Sequence, residues 1–336
     1  MANIFQDKNI LVTGGTGSIG SEIVRKLLQR EPRVVRVLSN DENGLFSLEN
    51  ELQGGLKLRF LIGDVKDKQR LQRAIENIDF VFHAAALKHV PLCEYNPFEA
   101  VQTNVLGTEN IIEAALGEDV EKLITISTDK AVNPINVMGA TKLLAERLTT
   151  SVDYHKGLKR TIFSCVRFGN VLDSRGSVLP LFRKQIEQGG PVMITDPNMT
   201  RFVMSISRAV DLVLKAAEMA EGGEIFILKM PVVRIDDLAE AMIEELAPKY
   251  GHDPTKIPIE IINARAGEKI YEELMTEEES KKASEIDDMF VILPSLTEEQ
   301  LRARKVAIRN YASNGQNLLT KEEIKALLRV TPQVDV

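Results

Sequence analysis

Four consecutive polar residues, Ser127-Thr128-Asp129-Lys130, follow a short apolar run and carry side chains suited to proton transfer. A hydroxyl, a carboxyl and an amine placed side by side can hold a substrate hydroxyl, donate a proton and accept one. Most adjacent Asp–Lys pairs are surface ion pairs, but the end of a buried parallel strand is a place where ligands bind. We therefore take this segment, with Lys142 beyond it, as the predicted chemical centre.

Apolar runs that alternate with amphipathic stretches predict the scaffold that positions this segment. The predicted strands are Asn9–Thr13, Arg33–Leu38, Leu58–Ile62, Phe80–His83, Leu123–Ser127 and Thr161–Val166, and the predicted helices are Ser18–Arg30, Pro97–Leu116 and Gly139–His155. Near-continuous apolar strands separated by helices indicate an α/β fold with a doubly wound parallel sheet of the Rossmann type. The polar segment then lies on the carboxyl edge of that sheet.

A glycine-rich loop separates the first strand from the first helix. Its spacing is G-x-x-G-x-x-G, which permits a tight turn, close approach of a pyrophosphate and close helix–strand packing. The N-terminus of the following helix offers free N–H groups to a phosphate. The position between strand and helix favours a dinucleotide site over a turn without a ligand. The predicted contacts are Gly14, Thr16, Gly17, Ser18, Ile19 and Gly20.

The residues after the second strand bear on the choice between NAD and NADP. An acidic residue at the strand tip would bond both ribose hydroxyls and repel a 2′-phosphate. The tip residue is Ser39, followed by Asn40 and then by Asp41 in the turn. Ser39 and Asn40 can bond a 2′-phosphate, with Arg36 or Lys66 supplying charge. The sequence favours NADP and leaves NAD open.

Two further segments are predicted cofactor contacts. Asp64-Val65 follows the third strand and is placed to meet the adenine, although Asp64 could also be a simple turn residue. Ala84-Ala85-Ala86 follows the fourth strand, and its small side chains let a nicotinamide ribose approach. Lys142 completes the set of expected cofactor contacts.

The regular alternation weakens after Arg167. We expect residues 1–172, together with about 203–232, to form the dinucleotide-binding domain, and residues 173–202 with 233–336 to form a smaller C-terminal α/β lobe that binds substrate. The helices predicted in this half are Ser207–Met219, Ile235–Leu246, Glu268–Met275, Leu296–Arg304 and Lys321–Leu328, with a strand at Glu224–Leu228.

Composition excludes several classes of protein. The formal net charge of −7 over 336 residues argues against a nucleic-acid binder and against a polybasic membrane anchor. Two cysteines without metal-ligand spacing indicate a reducing compartment and no metal centre. There is no apolar run of membrane-spanning length and no visible signal peptide. We therefore expect a cytoplasmic protein.

The pairing of Ser127–Lys130 with Gly139-Ala140-Thr141-Lys142 resembles the extended short-chain dehydrogenase/reductase superfamily. In that superfamily a Ser or Thr after this strand and a Tyr-x-x-x-Lys on the next helix form the catalytic set. The i, i+4 spacing places the two helical residues on one face. Lys142 keeps the lysine position, but Met138 stands where the tyrosine would be. This departure rules out the usual phenolate base.

A closer resemblance is to the UDP-N-acetylglucosamine 4,6-dehydratases of capsular polysaccharide and flagellin glycosylation, over roughly residues 8 to 280. Asp-Lys directly after Ser-Thr distinguishes these dehydratases from epimerases and reductases, and several members carry the methionine. The matching segments are Ala85–Pro91, Glu94–Pro97, Thr103–Thr108, Ser127–Pro134, Asn136–Lys142, Arg167–Val171, Ser174–Val178, Thr195–Pro197 and Thr200–Phe202.

The resemblance implies a reaction that oxidises C4 of the hexose, removes water across C5–C6 and returns the hydrogen, so that the NADP or NAD stays bound and is recycled. It casts Asp129 as the acid and Lys130 as the base, with Thr128 bonding the 4-hydroxyl. Because Met138 cannot accept the hydroxyl proton, we hypothesise a relay through Thr128 to Lys142 or to Asp129.

The remaining matches are expected substrate contacts. Lys88 and His89 would lie near the hexose, Asn170 near a phosphate or sugar, Arg201 and Arg265 near the diphosphate, and Glu268 near the uridine ribose. The resemblance also implies UDP-N-acetylglucosamine as substrate and a homo-oligomer built from the Pro97–Leu116 and Gly139–His155 helices.

Several alternatives stay open. The product could retain or invert the C5 configuration, and the Asn133–Asn136 run with Met138 favours retention. A variant reaction returns the hydrogen to C4 and releases a 5,6-ene sugar. A nucleotide-sugar 4-epimerase or reductase is disfavoured by Asp129-Lys130, and a non-catalytic NADP-binding sensor is disfavoured by Lys142.

Overall fold

The computed structural model describes residues 3–52, 55–263, 267–294 and 309–330, and strands alternate with helices through its first half. The strands are β1 (Asn9–Thr13), β2 (Val34–Ser39), β3 (Leu58–Ile62), β4 (Phe80–His83), β5 (Lys122–Thr128), β6 (Ile162–Phe168), β7 (Asn170–Val171), β8 (Val192–Ile194), β9 (Thr200–Met204), β10 (Ile225–Leu228), β11 (Val232–Arg234), β12 (Ile259–Ile261), β13 (Glu273–Met275), β14 (Ala283–Ile286), β15 (Met289–Ile292) and β16 (Tyr311–Ala312). The helices are α1 (Ser18–Leu28), α2 (Glu42–Leu52), α3 (Lys68–Ile75), α4 (Val90–Tyr95), α5 (Pro97–Val101), α6 (Gly107–Gly117), α7 (Val137–Ser151), α8 (Val178–Glu187), α9 (Ile206–Met219), α10 (Ile235–Leu246), α11 (Glu277–Ser280) and α12 (Lys321–Arg329).

Within the described residues, the largest sheet has nine strands in the order β14-β15-β10-β6-β5-β4-β1-β2-β3. Seven of these strands, β10, β6, β5, β4, β1, β2 and β3, run parallel. At the β10 edge, β15 pairs antiparallel with β10, and β14 pairs antiparallel with β15. The strand order reverses between β1 and β4, which makes their carboxyl ends the ligand crevice of a doubly wound sheet. The register pairs Thr13 with His83, and His83 with Thr125. The predicted α/β fold is confirmed.

A second apolar core lies outside the large sheet. It is formed by side chains of α8, β8, α10 and α12 and by Leu172, which follows β7. Its fully buried members include Ile186, Val192 and Ala239. Residues 283–292, which the sequence assigned to the smaller lobe, instead join the large sheet, where β15 pairs with β10 and β14 pairs with β15. The rest of the division into two lobes stays a prediction.

One predicted helix is absent from the described structure. Glu268–Met275 contains no described helix; its last residues form β13, which pairs antiparallel with β16. The predicted helix Leu296–Arg304 lies outside the described residues. The predicted helix Pro97–Leu116 is present as α5 and α6, joined by a π-helical stretch over Gln102–Leu106.

Across the described part of the chain, no helix is both long enough and apolar enough to cross a membrane.

Candidate functional site

The loop between β1 and α1 packs so closely on its surroundings that its glycines leave no room for a side chain. Gly14 has a φ of +65°, and a Cβ built on it would lie 2.6 Å from the backbone nitrogen of Ala85. A Cβ on Gly20 would collide with the carbonyl oxygen of Gly14. The N-cap of α1 is Gly17, which has no side chain to bond the first N–H groups of the helix. This cradle suits a pyrophosphate.

The tip of β2 lies against the glycine loop through hydroxyl groups. Ser39 Oγ lies 2.8 Å from Thr16 Oγ1, and the backbone N–H of Asp41 donates to Ser39 Oγ at 3.1 Å. The Asp41 carboxylate accepts a hydrogen bond from the backbone N–H of Gly44 at 2.9 Å. Asp41 is therefore engaged at the start of α2, and Ser39 is the residue nearest the loop, as predicted.

Asp64 and Val65 lie beside this tip. The Asn40 side chain donates to Asp64 Oδ2 at 3.1 Å, and the backbone N–H of Lys66 donates to Asp64 Oδ1 at 2.9 Å. Val65 is 4% exposed and packs against Gly107, where a Cβ would lie 2.6 Å from Val65 Cγ2. The structure thus brings Asn40, Asp64 and Val65 together at the edge of the crevice.

An arginine that the sequence analysis did not select reaches the glycine loop from the segment between β7 and α8. The backbone N–H of Arg175 donates to Ser18 Oγ at 3.1 Å, and its guanidinium donates to the carbonyl oxygen of Thr16. Arg175 Nη1 also lies 3.9 Å from Asp41 Oδ2. Arg175 therefore supplies positive charge next to the residues that would meet an adenosine ribose.

Of the two cations considered from the sequence, Arg36 is engaged elsewhere, and Lys66 Nζ lies 3.8 Å from Asp64 Oδ2. Arg36 donates to the carbonyl oxygens of Ala74 and Glu76, both at 2.8 Å, at the end of α3. Lys66 donates to Glu99 at 3.1 Å. The expectation that Arg36 supplies charge beside Ser39 is not met, because its donors are bound to another helix.

The loop Ala84–Ala86 after β4 is held in place by the π-helical stretch. Asn104, which is 1% exposed, accepts from the backbone N–H of Leu87 at 2.8 Å and donates to its carbonyl oxygen at 3.0 Å. The same amide donates to Thr141 Oγ1 on α7 at 3.0 Å. π-Helical turns are often found at functional sites. This one fixes Leu87, which follows the alanine loop, against the helix that carries Lys142.

Lys88 and His89 lie next to the Arg175 segment. Burial, with the positive charges of Arg175 and Lys130, lowers the pKa of Lys88. A Cβ on Gly176 would lie 3.3 Å from His89 Nδ1, so the imidazole packs directly on that glycine. Burial and the Lys88 charge lower the pKa of His89. The side chains of Lys88, Arg175 and Lys130 lie near one another, and a group of basic side chains suits an anionic substrate.

The chemical centre is a buried carboxylate clamped by a hydroxyl and an amine. Thr128 ends β5 and donates from Oγ1 to Asp129 Oδ1 at 2.8 Å. Lys130 Nζ donates to Asp129 Oδ1 at 3.1 Å and to Oδ2 at 3.0 Å. Asp129 is 2% exposed, whereas the Lys130 side chain is 28% exposed. The adjacent Asp–Lys pair is therefore not a solvated surface pair.

The electrostatics of the pair define its resting charge. Burial raises the pKa of Asp129, but the Lys130 ammonium and the Thr128 hydroxyl outweigh burial and hold that pKa below its usual range. Burial lowers the pKa of Lys130, but the Asp129 and Glu272 carboxyls outweigh it and raise that pKa. In the resting pair, Asp129 is therefore ionised and Lys130 protonated. One proton must pass between them before they can act as an acid and a base.

Lys142 and Met138 lie one turn apart on α7. Lys142 is 7% exposed and donates from Nζ to the carbonyl oxygen of Ile126 at 2.6 Å, and burial lowers its pKa. Met138 is 3% exposed and packs with Cys93 and Ala100 in a small apolar cluster. Lys142 is therefore anchored to β5, while the thioether of Met138 lies in an apolar setting.

Asn170 and Arg201 meet around one carboxyl group. Asn170 donates to Glu272 Oε2 at 2.8 Å, and Arg201 Nε lies 3.4 Å from Glu272 Oε1. Arg201 also donates to the carbonyl oxygen of Lys269 at 2.8 Å and lies 3.9 Å from Glu268. The structure brings these predicted substrate contacts together, with many of their donors already bound to protein groups. Their roles toward substrate stay predictions.

Glu272 is the residue of this cluster that sequence reasoning missed. Its Oε1 lies 3.4 Å from Lys130 Nζ, although the two residues are far apart in the chain. No motif marks it, and the charged pattern of Glu268–Met275 suggested an exposed helix. Arg265, the other expected diphosphate contact, lies outside the described residues.

The doubly wound sheet, the glycine cradle and the Thr–Asp–Lys set followed by a helical lysine define an extended short-chain dehydrogenase/reductase. The family described as "Polysaccharide biosynthesis protein" matches residues 10–294, and the chain belongs to this family.

Curated relatives carry two kinds of activity. The chain is 61% identical over 329 residues to the "Uncharacterized membrane protein MJ1061" of Methanocaldococcus jannaschii, covering 98% of this chain and 97% of the relative. It is 43% identical over 295 residues to a UDP-N-acetylglucosamine 4,6-dehydratase (inverting) of Campylobacter jejuni, covering 87% and 85%. It is 41% identical over 337 residues to a UDP-glucose 4-epimerase of Rickettsia rickettsii, covering 97% and 96%. The family therefore contains nucleotide-sugar dehydratases and epimerases.

Solved structures support the same fold. The structure of Pen from Bacillus thuringiensis has a TM-score of 0.92 at 48% identity and covers 98% of this chain and 99% of its own. DesIV, a dTDP-glucose 4,6-dehydratase from Streptomyces venezuelae with NAD bound, has a TM-score of 0.69 at 22% identity, covering 78% and 86%. The second likeness shows the fold alone.

Proposed function

We propose that this protein is a UDP-N-acetylglucosamine 4,6-dehydratase in the biosynthesis of surface glycans or nonulosonic acids. The observation that carries the proposal is the buried Asp129–Lys130 pair beside Thr128 at the carboxyl end of β5. Removing water from a hexose requires a base for the C5 hydrogen and an acid for the leaving 6-hydroxyl. The named activity of the Campylobacter relative supports this choice.

The cofactor in this proposal is NADP, with NAD as the alternative. The cradle around Gly14, where a Cβ would meet the Ala85 backbone, fits a dinucleotide. Hydroxyls of Thr16 and Ser39 and the cation of Arg175 suit a 2′-phosphate better than two free ribose hydroxyls. The nicotinamide supplies the oxidant for C4 and the reductant that restores the product, which is why it can remain bound.

Two side chains carry the elimination in this proposal. A proton shift from the Lys130 ammonium to the Asp129 carboxylate produces a neutral amine and a carboxylic acid at a separation of 3.0 Å. Lys130 then removes the C5 hydrogen as a proton, and Asp129 protonates the 6-hydroxyl, which leaves as water. The pair returns to the charged state that it has at rest. Neither residue needs a proton from solvent to complete the step.

Thr128 takes the place of the missing phenolate as the group that bonds the 4-hydroxyl. Its own hydroxyl hydrogen points at Asp129 over 2.8 Å, whereas Lys142 donates to the Ile126 carbonyl. Asp129 can accept only one proton, and the elimination needs it to accept the proton of Lys130. This proposal therefore assigns the 4-hydroxyl proton to the Lys142 branch of the relay, where burial lowers the pKa of the amine. Met138 cannot accept the proton, since a thioether is at most a weak hydrogen-bond acceptor.

The sugar nucleotide in this proposal binds between the two lobes. Lys88 and His89 contact the hexose, Asn170 and Arg201 the diphosphate side, and Glu268 the uridine ribose. The clustering of Lys88, Arg175 and Lys130 supports an anionic ligand, because each cation lowers the cost of bringing phosphates into the crevice. The contact proposed for Arg265 rests on the sequence alone.

A 4-epimerase is the second candidate, because the Rickettsia relative has that name. Epimerisation needs oxidation and reduction at C4 but no acid–base pair for water loss. The buried Asp129–Lys130 pair would then have no task in the reaction, which is why the dehydratase is preferred.

Mass spectrometry of the product separates these candidates. Incubation with UDP-N-acetylglucosamine should yield a product lighter by one water. Asp129→Asn and Lys130→Met should abolish this product, whereas Lys281→Met, which removes an exposed lysine paired with Glu278, should not. An isomer of unchanged mass would establish the epimerase and contradict the proposal.

We also propose that two copies of the chain associate through the surface formed by α4, α5 and α7. Large apolar side chains on α4 and α5 are exposed, with Leu92 at 62%, Tyr95 at 86% and Phe98 at 84%, and Leu144 on α7 is exposed at 52%. These helices contact one another, and large exposed apolar side chains on them favour an interface. Phe98→Glu should convert a dimer to a monomer in light scattering. An unchanged mass for the variant would exclude this surface.

A further inference from the structure

Glu272 is a buried carboxyl that connects the catalytic strand with the smaller lobe. The residue is 3% exposed, and its Oε1 lies 3.4 Å from both Lys130 Nζ and Arg201 Nε. Oε2 accepts from Asn170 at 2.8 Å, and the backbone N–H donates to Ser313 Oγ at 2.9 Å. The side-chain carboxyl group therefore meets donors from three other segments of the chain.

We propose that Glu272 is a positioning residue that holds Lys130 against Asp129 and controls which of the two carries the transferable proton; this inference rests on the dehydratase function. Lys130 can act as a base only as a neutral amine. A second carboxylate beside it would stabilise the ammonium form and oppose the proton shift to Asp129. A protonated Glu272 adds no negative charge beside Lys130, so the shift becomes easier.

Burial and the nearby Asp129 carboxylate favour the neutral form of Glu272, against the cations that also face it. Asp129 and Lys130 face it from the end of β5, Arg201 faces it from β9, and Lys269 lies in the segment before it. Burial and the Asp129 carboxylate raise the pKa of Glu272, and Lys130 and Arg201 offset this rise only in part. Where the pH exceeds this raised pKa, Glu272 ionises and holds Lys130 as an ammonium. The turnover rate should then fall.

Three variants test this role through kcat and its pH profile. Glu272→Ala removes all three side-chain contacts and should lower kcat about 100-fold, the cost of a misplaced catalytic group, with a small change in KM. Glu272→Gln cannot ionise, so it should have a higher kcat than Glu272→Ala and should lose the alkaline fall of the wild-type profile. Glu273→Gln is the matched control, because its carboxylate bonds the Asn133 side chain instead. Identical profiles for wild type, Glu272→Gln and Glu273→Gln would overturn the proposal.

Carboxyl ¹³C NMR separates a failure of this inference from a failure of the proposed function. Protein with labelled glutamate carboxyls should show one resonance that titrates well above the others, is absent in Glu272→Gln and is unmoved in Glu273→Gln. This result would support the role of Glu272 in the cluster even if UDP-N-acetylglucosamine were not dehydrated. A normal titration for Glu272 would overturn the inference even if dehydration were observed.

Discussion

Arg167 offers a strong test of the forces that hold β5, the strand that ends at Thr128. It is 1% exposed and donates to both carboxylate oxygens of Glu146, at 2.9 and 2.7 Å. It also donates to both oxygens of Glu279 at 3.0 Å and to the Leu274 carbonyl at 2.9 Å. Glu146 is 1% exposed and accepts a further bond from Ser127 at 2.5 Å. The network therefore ties β5, β6, α7 and the start of α11 together.

Arg167→Met should lower the free energy of unfolding by about 3–5 kcal/mol, because it leaves the Glu146 carboxylate buried without its cation. Glu279 contributes less to this loss, since its side chain is 16% exposed and can be hydrated. In a chain of this size, the entropy of unfolding near Tm is about 0.7 kcal/mol/K, so the loss should lower Tm by roughly 4–7 °C. Glu146→Leu combined with Arg167→Met removes both charges and should recover most of the loss.

Thermal unfolding followed by circular dichroism measures these changes. The matched control is Arg208→Met, because Arg208 pairs with Asp288 at 2.8 Å with both side chains 51% exposed. An exposed pair should contribute about 1 kcal/mol or less. The reasoning would be refuted if Arg167→Met and Arg208→Met had the same Tm, or if the double variant were less stable than Arg167→Met.

Three more predictions concern the cofactor and the relay. Gly14→Ala should abolish NADP binding measured by fluorescence, whereas Gly315→Ala, which has open space around it, should bind normally; equal binding would contradict the cradle. Arg175→Ala should weaken NADP binding about tenfold or more and weaken NAD binding less, as expected for a charge-assisted hydrogen bond; equal losses would exclude a 2′-phosphate contact. Thr128→Val should slow C4 oxidation about 100-fold, and Met138→Tyr should change its pH dependence. Normal C4 oxidation in both variants would contradict the relay.

Much of the fold was predictable because local patterns agree with the tertiary structure. The apolar runs at Phe80–His83 and Leu58–Ile62 are strands with the predicted bounds, and the glycine loop lies where the sequence places it. Glu268–Met275 was predicted wrongly because its charged residues suit an exposed helix. In the structure, Glu272 is buried and the following residues pair with β16. Tertiary contacts outweighed local preference there.

The candidate site was predictable only where its residues are neighbours in sequence. Asp129 and Lys130 are adjacent, so their pairing could be expected. Glu272 and Arg175 reach the same crevice from remote segments, and single-sequence patterns carry no signal of such contacts. The resting charges of Asp129 and Lys130 were also not predictable, because they depend on burial and on Glu272.

NMR of the product formed from UDP-N-acetylglucosamine in deuterated water tests the central claim most directly. If Asp129 and Lys130 remove water across C5–C6 and the C4 hydrogen moves to C6, the product is a 4-keto-6-deoxy sugar with solvent deuterium at C5. Its C5 configuration would follow from the same spectrum. A sugar that keeps its 6-hydroxyl and contains no deuterium at C5 would contradict the assignment of this site to dehydration.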